Sequence, residues 1–401
     1  MNYFDWAFGV VGFSPLWALV YFLIFTHITF IAITLYLHRH SAHRSLDLHP
    51  TVSHFFRFVL WMTTGMITKE WTAVHRKHHA KTETDEDPHS PVVHGLSAIL
   101  LQGVEYYRDA IDEETLKRYG KGTPDDWIER NVYSKYAWLG VTALIFIDVA
   151  LFGILGVVVW ALQMIWTPFW GAGVVNGIGH AIGYRNFESP DNSRNICPIG
   201  IFICGEELHN NHHTYPNSAR FAVKPWEFDI GWFYIRVLSL FRLARPVHTQ
   251  PVATTITGKS SIDMDTLWAV INDRFRVMST YARQVIHPTI KQERKGADSY
   301  FRKLLRRGRK VMNAHEVVLH ERDKNHINQI TRRSPALKRI YELRLSLIAI
   351  WAKRSGNSDE MLAQFRTWCR EAEETGLEHL DSFVRDLRTY TVPKSVKPLH
   401  A

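Results

Sequence analysis

The chain has 401 residues, 46% of them hydrophobic and 13% aromatic, which is enough for one large domain or two smaller ones. Its formal net charge of +9 predicts an acidic partner surface: anionic lipid, nucleic acid or an acidic protein. The three cysteines, Cys197, Cys204 and Cys369, form no C-x-x-C pair, so we infer no disulfide framework, thiolate zinc site or iron–sulfur cluster.

Three long apolar runs predict helices that span a membrane. The run at residues 15–37 is long enough to cross a bilayer and too long for the apolar core of a signal peptide. No cleavable signal peptide is evident. Residues 137–161 and 162–180 follow as a predicted membrane hairpin. Buried core helices of a soluble protein are the alternative, but three such runs are rare in soluble domains.

A shorter apolar run, residues 55–67, contains Arg57 and is too short to cross, so it predicts an interfacial or re-entrant segment. The hairpin then returns the chain to the side on which the first span ends. The polar segments that follow the first span, the short run and the hairpin therefore meet on one side. Basic residues flank these segments, which favours the cytoplasmic side.

Three of these polar segments carry clustered histidines: HRHSAH at 38–43, HRKHH at 75–79 and HNNHH at 209–213. In H-x-x-H-H the histidines stand at i, i+3 and i+4, which places them within an arc of roughly 60° on a helix. The outer histidines of HRHSAH are five apart, or about 140° around a helix, which predicts a frayed helix end. His40 and His49 lie nearby but break the pattern.

A fourth segment, NGIGH at 176–180, places Asn176 and His180 at i and i+4 at the end of the last apolar run. Polar groups that face inward at a membrane boundary are costly unless they are used, so this pair predicts a functional site. Hydrogen bonding between helices is the alternative.

Nine imidazoles exceed the ligands of one metal ion and predict a pair of metals. Imidazole suits Zn, Cu, Fe or Ni. A structural zinc site would need four ligands and would normally include cysteine, whereas a redox-active iron pair explains a nitrogen-rich site beside membrane helices, where it would activate O2 near lipid chains. The predicted ligands are His38, His43, His75, His78, His79, His180, His209, His212 and His213.

In this order and spacing, the motifs resemble the membrane-bound fatty acid desaturases, in particular the stearoyl or Δ9-type branch. The resemblance covers residues 1 to about 250. It implies an all-α integral membrane protein, in which a membrane helix bundle carries a cytosolic di-metal cap. The matching segments are HRHSAHR (38–44), HRKHH (75–79), DPHSP (87–91), NGIGH (176–180), GEELHNNHHTYP (205–216) and WEFDIGW (226–232).

The resemblance also implies roles for individual residues. The nine histidines would ligate two iron ions, Asn176 would hold one of them through a water, and no catalytic side chain is expected beyond the metal centre. Trp71 would line the substrate channel, with an interfacial aromatic as the alternative. Asp87, Glu206 and Glu207 lie close to the clusters and are candidates to orient the imidazoles, with solvated surface charge as the alternative.

The implied reaction removes two hydrogens from adjacent methylenes of a saturated fatty acyl chain, at the Δ9 position. It consumes O2 as co-substrate and two external electrons, and it leaves a cis double bond. Many animal acyl-CoA members carry Arg-Asp where this chain has Ala73 and Val74, so a CoA-bound and a phospholipid-bound chain stay equally open. We expect a bacterial inner membrane, with the metal site facing the cytoplasm.

From about residue 255 the sequence becomes charged and helix-forming, after a Thr- and Ser-rich boundary at 249–261. We therefore predict two domains, residues 1–250 and 255–401. Apolar residues at helical spacing predict a small C-terminal helical bundle, which is also similar to the helical tails of some insertion-sequence transposases. The periodic segments are 336–353, 361–372 and 377–387.

The basic segment KLLRRGRKVM at 303–312 is suited to anionic lipid headgroups, an acidic electron donor or nucleic acid, or it is simply a solvated helix face. The tail has no haem-binding or flavin motif, so we expect a separate electron donor. A ferredoxin-like or rubredoxin-like protein, or a haem protein with a reductase, would serve. No nucleic-acid partner is expected.

Three alternatives to a desaturase follow from the same residues. A related membrane di-iron enzyme would hydroxylate an alkyl chain and give an alcohol instead of an alkene. A non-catalytic membrane protein would keep the histidines for metal binding or folding. A membrane-anchored module would act through its tail on nucleic acid.

Overall fold

The computed structural model describes residues 7–352 and 357–393, and the chain divides into two compact units. The first unit comprises the residues up to Arg185 together with 192–250. The second comprises 186–191 and the residues from Pro251 onward. The predicted domains, 1–250 and 255–401, stay a prediction, because compactness alone does not show that either part folds independently.

The first unit is almost entirely helical in the part of the chain described. Three of its helices, α1, α2 and α4, begin with proline, whose fixed φ suits a first turn. The α-helices are α1 (Pro15–Ala32), α2 (Pro50–Thr63), α3 (Thr68–Lys81), α4 (Pro91–His94), α5 (Leu96–Asp109), α6 (Glu113–Tyr119), α7 (Ala137–Phe152), α8 (Ile154–Pro168), α9 (His209–Thr214) and α10 (Ile230–Leu240). Ile33–Ala42, Glu129–Tyr133 and Phe169–Val175 are π-helical, and Ile178–His180 is a 3₁₀ turn.

Four very short strands join distant parts of this unit. Strand β1 (Leu46–Leu48) pairs antiparallel with β4 (Ala244–Pro246), with Leu46 opposite Pro246. Strand β2 (Ile199–Gly200) pairs in parallel with β3 (Phe228–Asp229). The first pair connects the segment after the π-helix to the segment after α10.

Within residues 7–352 and 357–393, two helices are long and apolar enough to cross a membrane: Pro15–Ala42, which is α1 with its π-helical continuation, and Ile154–His180. Helix α7 is apolar but shorter. Large apolar side chains on these helices face outward, among them Trp17, Phe146 and Ile165. This outward apolar surface and the membrane-length helices support membrane association, while the predicted topology and its cytoplasmic side stay predictions.

The predicted break in the membrane hairpin, between residues 161 and 162, is wrong. The helix ends instead at Gly153, whose φ of 62° and ψ of −136° are reached readily only by glycine. A Cβ at this position would collide with the carbonyl of Ala7, and the N–H of Ile154 donates to that same carbonyl at 3.1 Å. The apolar run continues unbroken across the turn, so hydropathy alone could not locate it.

Helix α2 contains most of the predicted interfacial run. Phe55 and Phe58 are exposed, whereas Arg57 is buried and donates to the carboxylates of Asp126 and Glu129. The buried arginine therefore has ionic partners, and its neighbours present an apolar outer face. The interfacial or re-entrant position stays a prediction.

The second unit is a helical bundle closed by a short antiparallel pair, β5 (Thr254–Thr255) with β6 (Tyr390–Thr391). Its core includes the fully buried side chains of Tyr281, Ile340 and Phe383. The helices confirm the predicted helical tail. They are α11 (Met264–Asn272), α12 (Arg274–Tyr281), α13 (His287–Gly296), α14 (Ser299–Val311), α15 (Glu321–Arg333), α16 (Pro335–Ala352), α17 (Ser358–Glu373) and α18 (Glu378–Arg388), with a π-helical Ala282–Ile286 and a 3₁₀ Glu316–Val318.

Candidate metal centre

All nine histidines singled out in the sequence converge in the first unit. They form two groups, and within each group the ligand atoms lie within 4.8 Å of one another. We call them group A and group B. Group A consists of His38, His43, His75, His79 and His212, and group B of His78, His180, His209 and His213.

The first histidine pair is placed by a π-helix. The N–H of His43 donates to the carbonyl of His38 at 3.0 Å, which is the i→i+5 bond of that helix type. Because five residues make about one turn of such a helix, both rings point to the same side, with centroids 4.9 Å apart. The predicted frayed helix end is therefore wrong: the spacing of five fits a π-helical turn and not the α-helical geometry assumed.

Helices α3 and α9 each divide their H-x-x-H-H between the two groups. In α3 the histidines at i and i+4 join group A, while His78 at i+3 joins group B. In α9 the assignment is reversed, and His212 at i+3 joins group A. Each helix thus contributes to both groups. The two groups are adjacent because the same two helices supply ligands to both.

The Nε2 atoms of paired histidines approach closely. In group A, His38 and His79 each lie near His212, at 3.0 and 2.9 Å. In group B, His180 lies 3.0 Å from His209. Two nitrogens bound to one ion at about 2.1 Å and at right angles are about 3.0 Å apart. The donor set therefore fits two metal ions held mainly by imidazole.

Burial keeps four imidazoles of group A neutral. It lowers the pKa of His43, His75, His79 and His212 well below the ordinary value, and the positive charge of neighbouring histidines lowers it further. Neutral imidazole is the form that binds metal. These neutral rings therefore do not repel a cation that binds between them.

Three carboxylates fix the orientation of three rings. Nδ1 of His38 donates to Glu206 at 2.7 Å, and Nδ1 of His78 donates to Asp87 at 2.8 Å. Burial opposes ionisation of Asp87, but its contact with His78 and two backbone N–H donors bring its pKa below the usual value. Such contacts hold the proton on Nδ1 and leave Nε2 for a metal.

The third carboxylate, Glu83, was missed by sequence reasoning. Its Oε1 lies 3.2 Å from Nδ1 of His180 and also accepts from the backbone N–H of Asn192 at 2.6 Å. Glu83 has a φ of 61°, which turns the chain just after α3. The sequence offered only a carboxylate between two motifs, and nothing distinguished it from Asp85 or Glu86.

The carboxylate of Glu207 contacts backbone and not imidazole in the described structure. It accepts from the N–H groups of Ile203 and Gly205, each at 3.0 Å. Burial raises its pKa to about 7, against these backbone hydrogen bonds. It holds the turn that precedes α9, and so acts on the site through the backbone.

Two further predicted residues lie beside the groups. Trp71 stacks on the ring of His75, with centroids 4.8 Å apart and planes inclined by 9°. Asn176 donates its Nδ2 to the carbonyls of Gly171 and Ala172, inside its own helix. Their roles in substrate and water binding stay predictions.

A buried arginine joins the π-helix of the first histidine pair to the start of α10. Arg39 is 0% exposed, and its Nη2 donates to both oxygens of Asp229 at 3.0 and 3.1 Å. Asp229 also accepts from the N–H of Trp232 and so caps α10. The guanidinium fits because Gly205 and Gly231 lie against it, where a Cβ would collide.

The comparisons with known proteins agree with this site. A family model described as fatty acid desaturase matches residues 14–229, and one described as transposase matches residues 268–393. The chain is 28% identical to Delta-9 acyl-lipid desaturase 1 of Arabidopsis thaliana, over 54% of this chain and 70% of that protein. It is 31% identical to the sn-1 stearoyl-lipid 9-desaturase of Synechocystis (57% and 71%) and 32% identical to the sn-2 palmitoyl-lipid 9-desaturase of Nostoc (59% and 83%).

Proposed function

The chain belongs to the fatty acid desaturase family, and from that premise we propose that it uses O2 and a pair of iron ions to introduce a cis double bond into a saturated fatty acyl chain. It is an enzyme of the oxidoreductase class that acts in lipid metabolism. The observation that carries the proposal is the convergence of nine imidazoles into two adjacent groups.

The nine histidines would hold the two ions, group A one and group B the other. When bound, the iron pair supplies the O2-dependent oxidation of an unactivated C–H bond, which no protein side chain can perform. Glu206, Asp87 and Glu83 keep the Nδ1 protons in place, so that the Nε2 atoms face inward. Asn176 would reach an ion through a water.

We infer a phospholipid-bound acyl chain as the substrate, desaturated at Δ9. Three relatives carry acyl-lipid, stearoyl-lipid or palmitoyl-lipid desaturase in their names, each with position 9. Ala73 and Val74 are fully buried beside the second cluster and offer no cation there for a CoA phosphate. Trp71, which packs against a group A ring, would form part of the channel wall.

The proposed setting is a bacterial inner membrane, with the metal centre on the cytoplasmic side. Two electrons per turnover would come from a separate protein of the ferredoxin-like, rubredoxin-like or haem type. Membrane-length helices and exposed apolar side chains support the membrane setting.

The test is the fatty acid profile of a bacterial host that lacks its own aerobic desaturase. The host would express the full chain, His75→Ala in group A, or His180→Ala in group B, with exposed His320→Ala as the matched control. Free, CoA-bound and phospholipid acyl pools are separated soon after oxygen is admitted. We expect an oxygen-dependent cis-9 alkene, first in phospholipid, from the wild type and His320→Ala only.

Other outcomes would redirect the assignment. An alkene that appears first in the CoA pool would contradict the phospholipid substrate. A hydroxylated chain would replace the desaturase with the hydroxylase alternative. An unchanged profile, with iron bound and a competent donor supplied, would leave a non-catalytic metal-binding protein.

A further inference from the structure

The net positive charge of the chain comes from its C-terminal part. Residues 251–401 contain 28 Lys and Arg against 17 Asp and Glu, a formal charge of +11. Residues 1–250 contain 20 against 22, a formal charge of −2. The acidic partner surface predicted from the overall charge therefore concerns the second unit and not the metal centre.

Within the second unit, helix α14 carries the densest basic surface. Its apolar side chains, such as Phe301 and Leu305, are buried in the core of the unit. Its exposed side chains are basic over an arc of roughly 160°, with no acidic residue anywhere in the helix. This basic face consists of Arg302, Lys303, Arg306, Arg307, Arg309 and Lys310, all exposed.

Most of these cations have no ionic partner within the described residues. Arg307 pairs with Asp323 at 2.6 Å, and Arg302 donates to the carbonyl of Ala297 at 2.8 Å. Five members of the basic face form no ion pair in the described part of the chain: Arg302, Lys303, Arg306, Arg309 and Lys310. A solvated helix face would normally alternate charge sign, so an unbalanced face is suited to an external anion.

We propose that the basic face of α14 binds the anionic headgroups of the phospholipids in the membrane that holds the first unit. The apolar face of α14 is used by the core, so the helix would lie on the headgroups and not insert. The tether to membrane-associated helices keeps anionic lipid at high effective concentration, whereas nucleic acid must arrive from solution. The match of residues 268–393 to a transposase family makes nucleic acid the rival to exclude.

The test uses the full chain in nanodiscs of neutral phosphatidylcholine, with or without phosphatidylglycerol. An amine-reactive reagent labels lysines, and mass spectrometry follows Lys303 and Lys310, with exposed Lys338 on α16 as the internal control. We expect labelling of the first two to slow roughly fivefold in the anionic discs at low salt. The effect should disappear at high salt, because surface electrostatics are screened.

Two charge-matched variants separate the basic face from overall charge. Arg306→Glu with Arg309→Glu should abolish the protection, while Arg370→Glu with Arg385→Glu, at exposed positions on α17 and α18, should retain it. Unchanged labelling of each variant in neutral discs would show that its fold is intact.

Several results would overturn the proposal: equal labelling in both discs, equal slowing of Lys338, or protection that survives Arg306→Glu with Arg309→Glu. Two further arms use neutral discs with inorganic phosphate or with duplex DNA. Equal or greater protection in either arm would assign the basic face to free phosphate or to nucleic acid instead. No turnover is measured, so this outcome and that of the desaturase test are independent.

Discussion

At single residues, the carboxylates behind the imidazoles decide which ring nitrogen carries the proton. Glu83 faces His180, the only group B ligand contributed by the helix that ends the last apolar run. Glu86, three residues further on, forms an exposed ion pair with Lys81. The two carboxylates share a segment and differ in what they touch.

We predict that Glu83→Gln lowers iron affinity by roughly 10- to 100-fold, because the ring of His180 loses its charged acceptor. Competition with a chelator on the purified full chain measures this. Glu86→Gln should behave as the wild type. Equal affinities for the two variants would show that Glu83 does not orient a ligand.

Asp126 gives a stability prediction with a defined pH window. Its hydrogen bond with Arg57 lowers its pKa to about 2, so the folded value lies below the unfolded value of about 3.9. The stabilisation is therefore fully present above about pH 4 and is lost as the pH falls toward 2. Because the Asp126 side chain is 49% exposed, it amounts to about 1 kcal/mol at most.

Asp126→Asn should therefore lower the melting temperature at pH 6, and the difference from the wild type should shrink at pH 3. Asp125→Asn removes a neighbouring carboxylate that is 80% exposed and should have little effect. A deficit of Asp126→Asn that stays constant between these pH values would contradict the assigned pKa shift.

Among the elements, irregular helix and turns position the three ligands that α3 and α9 do not supply, His38, His43 and His180. The π-helix aligns His38 and His43, and the turn at Gly153 fixes where the second long span begins. Arg39, on the π-helix, is clamped by Asp229 in a space left by Gly205 and Gly231.

Gly231→Ala should disrupt this clamp, because its Cβ would collide with Arg39 and with the carbonyl of Cys204. We expect a cost of about 1–3 kcal/mol and a lower melting temperature, accompanied by loss of iron. Gly171→Ala is the matched control, since nothing lies near its added Cβ. If Gly231→Ala has the same melting temperature and the same iron content as Gly171→Ala, the clamp is needed neither for stability nor for iron binding.

The spacing of H-x-x-H-H was sufficient to predict that each helix offers three histidines from one face, and the motifs together identified the family. Their division between two groups was not predictable, because it depends on how α3 and α9 face each other. The π-helix was missed because α-helical periodicity was assumed, and Glu83 because its partner lies 97 residues away in sequence.

At the scale of the whole molecule, the second unit includes a segment that lies between parts of the first in sequence. Residues 186–191 belong to the second unit, and Phe187 is only 1% exposed. Asn186 accepts a hydrogen bond from Ser279 at 3.3 Å within that unit. The second unit is therefore not formed by the C-terminal residues alone.

A chain that stops at residue 250 should consequently aggregate more than the full chain, because residues 186–191, with the apolar Phe187, lose the rest of the unit to which they belong. Size-exclusion chromatography of the two purified chains in the same detergent measures this. Phe187→Ser in the shortened chain should partly restore a monodisperse peak. A shortened chain that is already monodisperse would contradict the account.

The central claim is that groups A and B each hold an iron ion, and the number of irons per purified full chain tests it most directly. We expect about two for the wild type and for His320→Ala, and a loss of iron when either His75 in group A or His180 in group B is changed to alanine. One iron per wild-type chain, or two in both of those variants, would contradict the claim.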